Sequence, residues 1–179
     1  MTVDHDPYPL PAGWQNFAAT KENITRAWWE MNKFPILFDD FKRGNFKYFI
    51  SLFLDPDNLF LQCGDYGLAR IRGIQPGGNC EIHLTFWDRR FRGRQAECLA
   101  ALKWLFYHFK LERATIVIVE TSRVAIKFIK SLGFKQEGVL RNSFLFKGKY
   151  LNSIIFGILK EEVFNVNVNE GIHKSSNKS

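Results

Sequence analysis

The spacing of apolar residues switches between two periods along the chain, and the switches mark its elements. Over 23–33 and 41–54 apolar positions recur at the interval of a helix face, with Pro35 breaking the run and Asp55-Pro56-Asp57-Asn58 closing it. The period then shortens. LFLQCGDYGLARIRGI predicts a hairpin turning at Gly64 to Gly67. CEIHLTFW alternates strictly, with Cys80, Ile82, Leu84 and Phe86 on one face and Glu81, His83, Thr85 and Trp87 on the other. Leu99, Leu102, Phe106 and Phe109 restore a helical stripe over 96–109. RATIVIVE, 113–120, is almost wholly apolar and β-branched, as a strand covered on both faces would be. Strand, helix and strand in that order form a βαβ unit, whose crossover rule makes the two strands parallel neighbours. Ser122 suits the N-cap of a second helix, with Ala125, Phe128, Ile129 and Leu132 on one side and Gly133 ending it. FKQEGVLRNSFLF and YLNSIIFGILK, joined at Lys147-Gly148-Lys149, predict a closing hairpin.

The ends follow neither period. Residues 1–15 hold Pro7, Pro9 and Pro11 and are expected to lie extended, and from Asn165 the apolar pattern gives way to a polar tail. One domain over 1–164 and a flexible tail over 165–179 are therefore expected. At 179 residues and 46% hydrophobic, the chain can fill one substantial core and is short for two.

Charge and cysteine usage narrow the function. A formal net charge of +7 predicts an anionic partner, which could be nucleic acid, a phosphorylated cofactor or an acidic surface. Cys63, Cys80 and Cys98 have neither disulfide-framework nor zinc spacing, which suits a reduced, cytoplasmic setting and leaves no metal site. No apolar window reaches the length of a membrane span, and the N-terminus lacks the basic and apolar regions of a signal peptide, so no membrane association is expected.

The stretch FWDRRFRGRQAE, 86–97, carries the candidate chemistry. Gly93 falls where the alternating strand hands over to the helix, whose first backbone N–H groups have no intrahelical partners. Such an end attracts anions through its free N–H groups and the helix dipole, and glycine lets a phosphate approach closely. Arg89, Arg90, Arg92 and Arg94 add charge-assisted donors at the same corner. The turn reads as a holder for a phosphorylated ligand.

Arg90-Phe91-Arg92-Gly93-Arg94-Gln95 resembles the pyrophosphate loop of the GNAT superfamily of acetyl-CoA-dependent N-acetyltransferases. SRVAIKFIKSLGFKQEGVLRNSFLFKGKYLNSIIFGILKEE resembles that family's C-terminal region, a helix ending in Leu-Gly-Phe, a Glu-Gly strand and a hairpin leading to a closing Glu. The likeness covers about 80–162 and is greatest to the branch of ribosomal-protein N-terminal acetyltransferases. It implies an α/β (α+β) fold with a mixed, mostly antiparallel sheet, a central splayed parallel strand pair and about four flanking helices. It also implies acetyl-CoA (coenzyme A) as cofactor. Backbone N–H groups of Gly93, Arg94, Gln95 and Ala96, beside Arg90, would hold the pyrophosphate. Phe86 and Trp87 would offer backbone groups to the pantetheine arm, and Ser122 stands where the family often has a cofactor-contacting Asn. Two positions depart from the pattern: Gln95 replaces a small residue of the loop, and Ile129 stands where many members have a Tyr that protonates the leaving thiolate.

Acetylating an amine requires a proton acceptor within reach, and the family commonly takes it from the alternating strand. Glu81 is the first candidate and His83 the second. The acceptor would be a peptide N-terminus, a lysine or a small amine, and the chain a monomer or homodimer. A second reading is a GNAT-like protein that has lost catalysis and serves in binding or assembly, on nucleic acid for example. Small GNAT-like proteins of this compact kind also occur in tailed phages, which makes a phage source an expectation of the resemblance.

Overall fold

A computed structural model describes residues 7–88, 90 and 94–166. Helix α1, Lys21–Asn32, starts where Thr20 Oγ1 accepts the Asn23 N–H at 3.2 Å, and it buries Ile24 and Ala27. Helix α2, Phe46–Leu54, begins five residues later than the apolar pattern suggests. Gly44 takes φ +75°, and the Asn45 side chain then caps the Tyr48 N–H at 2.9 Å, so 41–44 form a turn ahead of the helix. A short 3-10 turn at Pro35–Leu37 stands between the two helices.

Seven strands are present: β1 Trp14–Asn16, β2 Asn58–Cys63, β3 Gly67–Arg72, β4 Asn79–Phe86, β5 Arg113–Val119, β6 Lys135–Phe146 and β7 Lys149–Leu159. They form one sheet in the order β1-β2-β3-β4-β5-β7-β6, antiparallel at every step except β4 to β5. The crossover between that parallel pair is helix α3, Gln95–His108, and helix α4, Arg123–Ser131, leads from β5 to β6. This is the mixed sheet with a central parallel pair that the sequence predicts.

Two elements go beyond the sequence reading. Trp14, inside the stretch expected to be irregular, pairs with Cys63 at the sheet edge and is only 7% exposed. At the other end, helix α5, Lys160–Asn165, buries Val163. The Glu162 carboxylate accepts the Leu159 N–H at 2.9 Å and pairs with Lys135, which tethers α5 to the start of β6.

The larger core lies between the sheet and α3, α4 and α5. Phe106, Leu111, Ala114, Phe156, Ile158 and Val163 are all fully buried there. A smaller cluster of Ile24, Ala27, Phe38 and Phe49 belongs to α1, α2 and the turn between them. Phe53 of α2 stacks on Phe60 of β2 with ring centroids 4.2 Å apart. Because Phe60 alternates with Leu61 of the larger core, α2 must cover the opposite sheet face.

Candidate active site

Strands β4 and β5 are paired only at Asn79, Cys80 and Glu81, opposite Arg113, Ala114 and Thr115. Beyond Glu81 both strands continue, to Phe86 and Val119, without pairing, so a cleft opens between them in the middle of the sheet. The Trp87 N–H donates to the Tyr66 carbonyl at 3.0 Å. Antiparallel alternation then directs the backbone groups of Thr85 and His83 to β3 and turns those of Phe86 and Leu84 toward the cleft. Phe86 therefore presents backbone groups there, whereas the Trp87 N–H is already engaged. The Trp87 indole also donates to the Asp65 carbonyl, at 2.7 Å.

The corner ahead of α3 is polar and internally paired. Arg90 donates to Asp88 at 2.6 and 2.8 Å, and Arg94 donates to Glu97 at 3.0 and 3.1 Å. Both guanidiniums lie over the Tyr66 ring, 5.1 and 4.8 Å from its centroid. Contact with Arg90 holds the Asp88 carboxyl below the usual range, and Arg90 and Arg94 are raised by Asp88 and Glu97 respectively. The first bond of the α3 ladder runs from the Cys98 N–H to the Arg94 carbonyl at 3.2 Å. The N–H groups of Gln95, Ala96 and Glu97 thus precede the ladder. Gly93, like Arg89, Phe91 and Arg92, lies outside the described residues.

Ser122 stands at the N-cap of α4, and its side chain makes no capping hydrogen bond. On that helix Phe128 meets Phe86 edge to face at 5.9 Å, whereas Ile129 is 2% exposed within the larger core. An aliphatic side chain has no ionisable proton to give, so α4 supplies no general acid at Ile129.

Glu81 and His83 do come together. Glu81 Oε1 lies 2.7 Å from His83 Nε2, an ion-pair distance without the alignment of a hydrogen bond, and Glu81 Oε2 accepts from Arg72 Nε at 3.1 Å. Contact with His83 first, then Arg72 and Arg70, hold the Glu81 carboxyl below its ordinary value against the upward push of burial. Register places Arg72 beside Glu81, and Arg70 beside His83 and Phe60. Burial lowers the Arg70 guanidinium, which sits near the Tyr48 hydroxyl of α2. Sequence reasoning missed Arg70, Arg72 and Tyr48. The signal was present, since alternation in GLARIR puts both arginines on one face, but only the register with β4 shows that this face carries Glu81 and His83.

One further contact closes the region. The Asp40 carboxylate accepts the N–H groups of Lys147 at 3.0 Å and Gly148 at 2.8 Å, and the Asp40 N–H donates to the Leu145 carbonyl at 2.9 Å. The segment before α2 is thus fastened to the β6–β7 turn, where Lys147 and Gly148 both take positive φ as a two-residue hairpin requires.

No family model matches the chain, and no curated protein matches it in sequence. Solved structures do match in shape. Mutant forms of the spermidine/spermine N-acetyltransferase SpeG from Vibrio cholerae superpose with a TM-score of 0.67 at 17% identity, covering 87% of this chain and 98% of theirs. The spermidine N-acetyltransferase from Vibrio cholerae in complex with CoA and spermine gives 0.62 at 15%, covering 87% and 100%. A protein described as a probable acetyltransferase gives 0.63 at 16%, covering 86% and 97%. With the split parallel pair and the element order, these likenesses establish that the chain has a GNAT-like fold.

Proposed function

We propose that the chain is an acetyl-CoA-dependent N-acyltransferase that transfers an acetyl group to a primary amine. The observation that carries this reading is the divergence of β4 and β5 beyond Glu81 and Thr115, with Glu81 and His83 on β4 where the cleft begins. The residues present fit coenzyme A. Leu84 and Phe86 turn backbone groups into the cleft, and the leading N–H groups of α3 supply donors where an anion is favoured. Phe86, Trp87, Arg90, Gly93, Arg94, Gln95, Ala96 and Ser122 are the residues assigned to hold it, with the Trp87 N–H already given to Tyr66. Bound acetyl-CoA supplies an activated acetyl thioester.

The chain's own residues then orient and deprotonate the amine. Glu81, whose carboxyl the His83 contact and the nearby arginines hold below its ordinary value, takes the ammonium proton directly or through one water. Acetyl-CoA held there would give its acetyl group to the neutral amine and leave as coenzyme A thiol, with Glu81 keeping the proton taken from the amine. A peptide N-terminus, as in the ribosomal-protein branch, a lysine or a small amine would each satisfy this chemistry. The test is amine-dependent release of free coenzyme A thiol, with acetyl-CoA affinity measured in parallel. Binding together with release supports the reading, and no binding overturns it.

A second reading has one observation in its favour. Arg90 and Arg94 are already matched by Asp88 and Glu97, which reduces the free positive charge of the corner. A protein that kept the fold as a binding module, on nucleic acid for instance, would bind its anionic partner with steep salt dependence and release no thiol.

A further inference from the structure

Arg70 is the least explained charge on the sheet. It lies half-buried between the sheet and α2, in register with His83 on one side and Phe60 on the other. Its neighbour Arg72 is matched by Glu81 at 3.1 Å, yet Arg70 makes no ion pair among the described residues. The Tyr48 hydroxyl and, beyond contact distance, the Glu81 carboxylate both favour its charge, yet burial outweighs them. Withdrawing a guanidinium from water with no carboxylate in direct contact is costly, and the cost is recovered if an anion binds there.

Resting on the reading above, we propose that the acceptor is an amine bearing its own carboxylate or phosphate, with Arg70 as the group that receives that anion. Arg70 and His83 stand on adjacent strands, which are about 5 Å apart. An acceptor whose amine reaches Glu81 and His83 can therefore place a negative group on Arg70 only if the two are a few bonds apart. Fork-like donors suit carboxylate and phosphate alike. The same arrangement disfavours a polyamine, because its second ammonium would face Arg70 where it needs a carboxylate. In this respect the chain differs from the acceptor named for its structural neighbours, spermidine or spermine.

Four amines separate the cases: β-alanine, O-phosphoethanolamine, ethanolamine and spermidine. Each is titrated into the full chain by calorimetry with coenzyme A present, and each is offered with acetyl-CoA for transfer. We expect β-alanine or O-phosphoethanolamine to bind at least about tenfold more tightly than ethanolamine or spermidine, a gap of roughly 1.4 kcal/mol. Which of the two binds better identifies the anion as carboxylate or phosphate. Arg70→Gln should abolish the preference and raise KM with kcat little changed, Arg70→Lys should restore part of it, and Tyr48→Phe should weaken it more mildly. None of the three should alter acetyl-CoA affinity, which also shows that the variants fold. Equal or tighter binding of spermidine, or an unchanged order in Arg70→Gln, overturns the proposal. Anion-selective binding without acetyl-CoA binding would instead overturn the transferase reading and leave Arg70 as an anion site.

Discussion

Strands β2, β3 and β4 show two faces of opposite character built from the same residues in alternation. Toward α3 the row Leu61, Ala69 and Ile71, Ile82 is buried and apolar, and Cys80 and Cys98 sit within it. Toward α2 the row Phe60, Arg70, Glu81 and His83 is half-buried, Arg72 beside it is exposed, and all but Phe60 are polar or charged. A period of two therefore separates packing from chemistry with no insertion and no extra element. Side chains on the first face determine whether the sheet forms, and those on the second determine what it does.

Substitutions one residue apart on β4 test that division most sharply. Ile82→Ala, at a side chain 2% exposed in the larger core, should cost about 2–4 kcal/mol of stability by denaturant unfolding. Its neighbour Glu81→Gln should cost far less stability, only the contribution of its contacts with Arg72 and His83, and leave acetyl-CoA affinity nearly unchanged while slowing transfer about a hundredfold or more, equivalent to about 2.7 kcal/mol on the barrier. Comparable stability losses in the two variants would erase the distinction between the faces.

Smaller effects sharpen it. Asp40→Asn removes the anion that fastens the segment before α2 to the β6–β7 turn, and should cost about 1–2 kcal/mol. The acceptor KM should rise more than the acetyl-CoA affinity changes, because the contact borders the α2 face. Acid dependence has a definite sign. The folded Glu81 carboxyl titrates below its ordinary value near 4.5, so its contribution is present above that pH and lost as pH falls through the folded value. Wild type should therefore lose stability relative to Glu81→Gln below about pH 4.5, and the opposite trend would contradict the ion pair. Smallest of all is the expected reactivity of the buried thiols. Burial pushes Cys63 up to about 11, Cys80 up to about 12, and Cys98 higher still. An aromatic disulfide reagent at pH 8 should label none of the three until denaturant is added. Labelling in the native state would show that the apolar face opens.

Much of the fold was legible because its periods are strong. Strict alternation over 80–87 located β4, and the β-branched run at 113–119 located β5, so the parallel pair followed from connectivity alone. Short elements were not legible. Trp14–Asn16 spans three residues after a proline-rich arm, too few for a period, and its place comes from pairing with β2 and from burial of Trp14. Helix α5, with Val163 as its one buried residue, falls between the strand that the sequence predicts to end at Lys160 and the tail it predicts from Asn165. The same limit applied to the site. Glu81 and His83 belong to one strand and could be named from it, whereas Arg70 and Tyr48 reach them from β3 and α2 through register and packing. Ile129 shows the converse, a position singled out by resemblance whose side chain the fold commits to the core.

The central claim is that the split between β4 and β5 is a cofactor cleft, and calorimetric titration of the chain with acetyl-CoA at low and at moderate salt tests it most directly. Saturable binding in the micromolar range at both salt concentrations is the predicted result. No binding at either, or binding that collapses as salt rises, would contradict it and leave the fold serving as a scaffold.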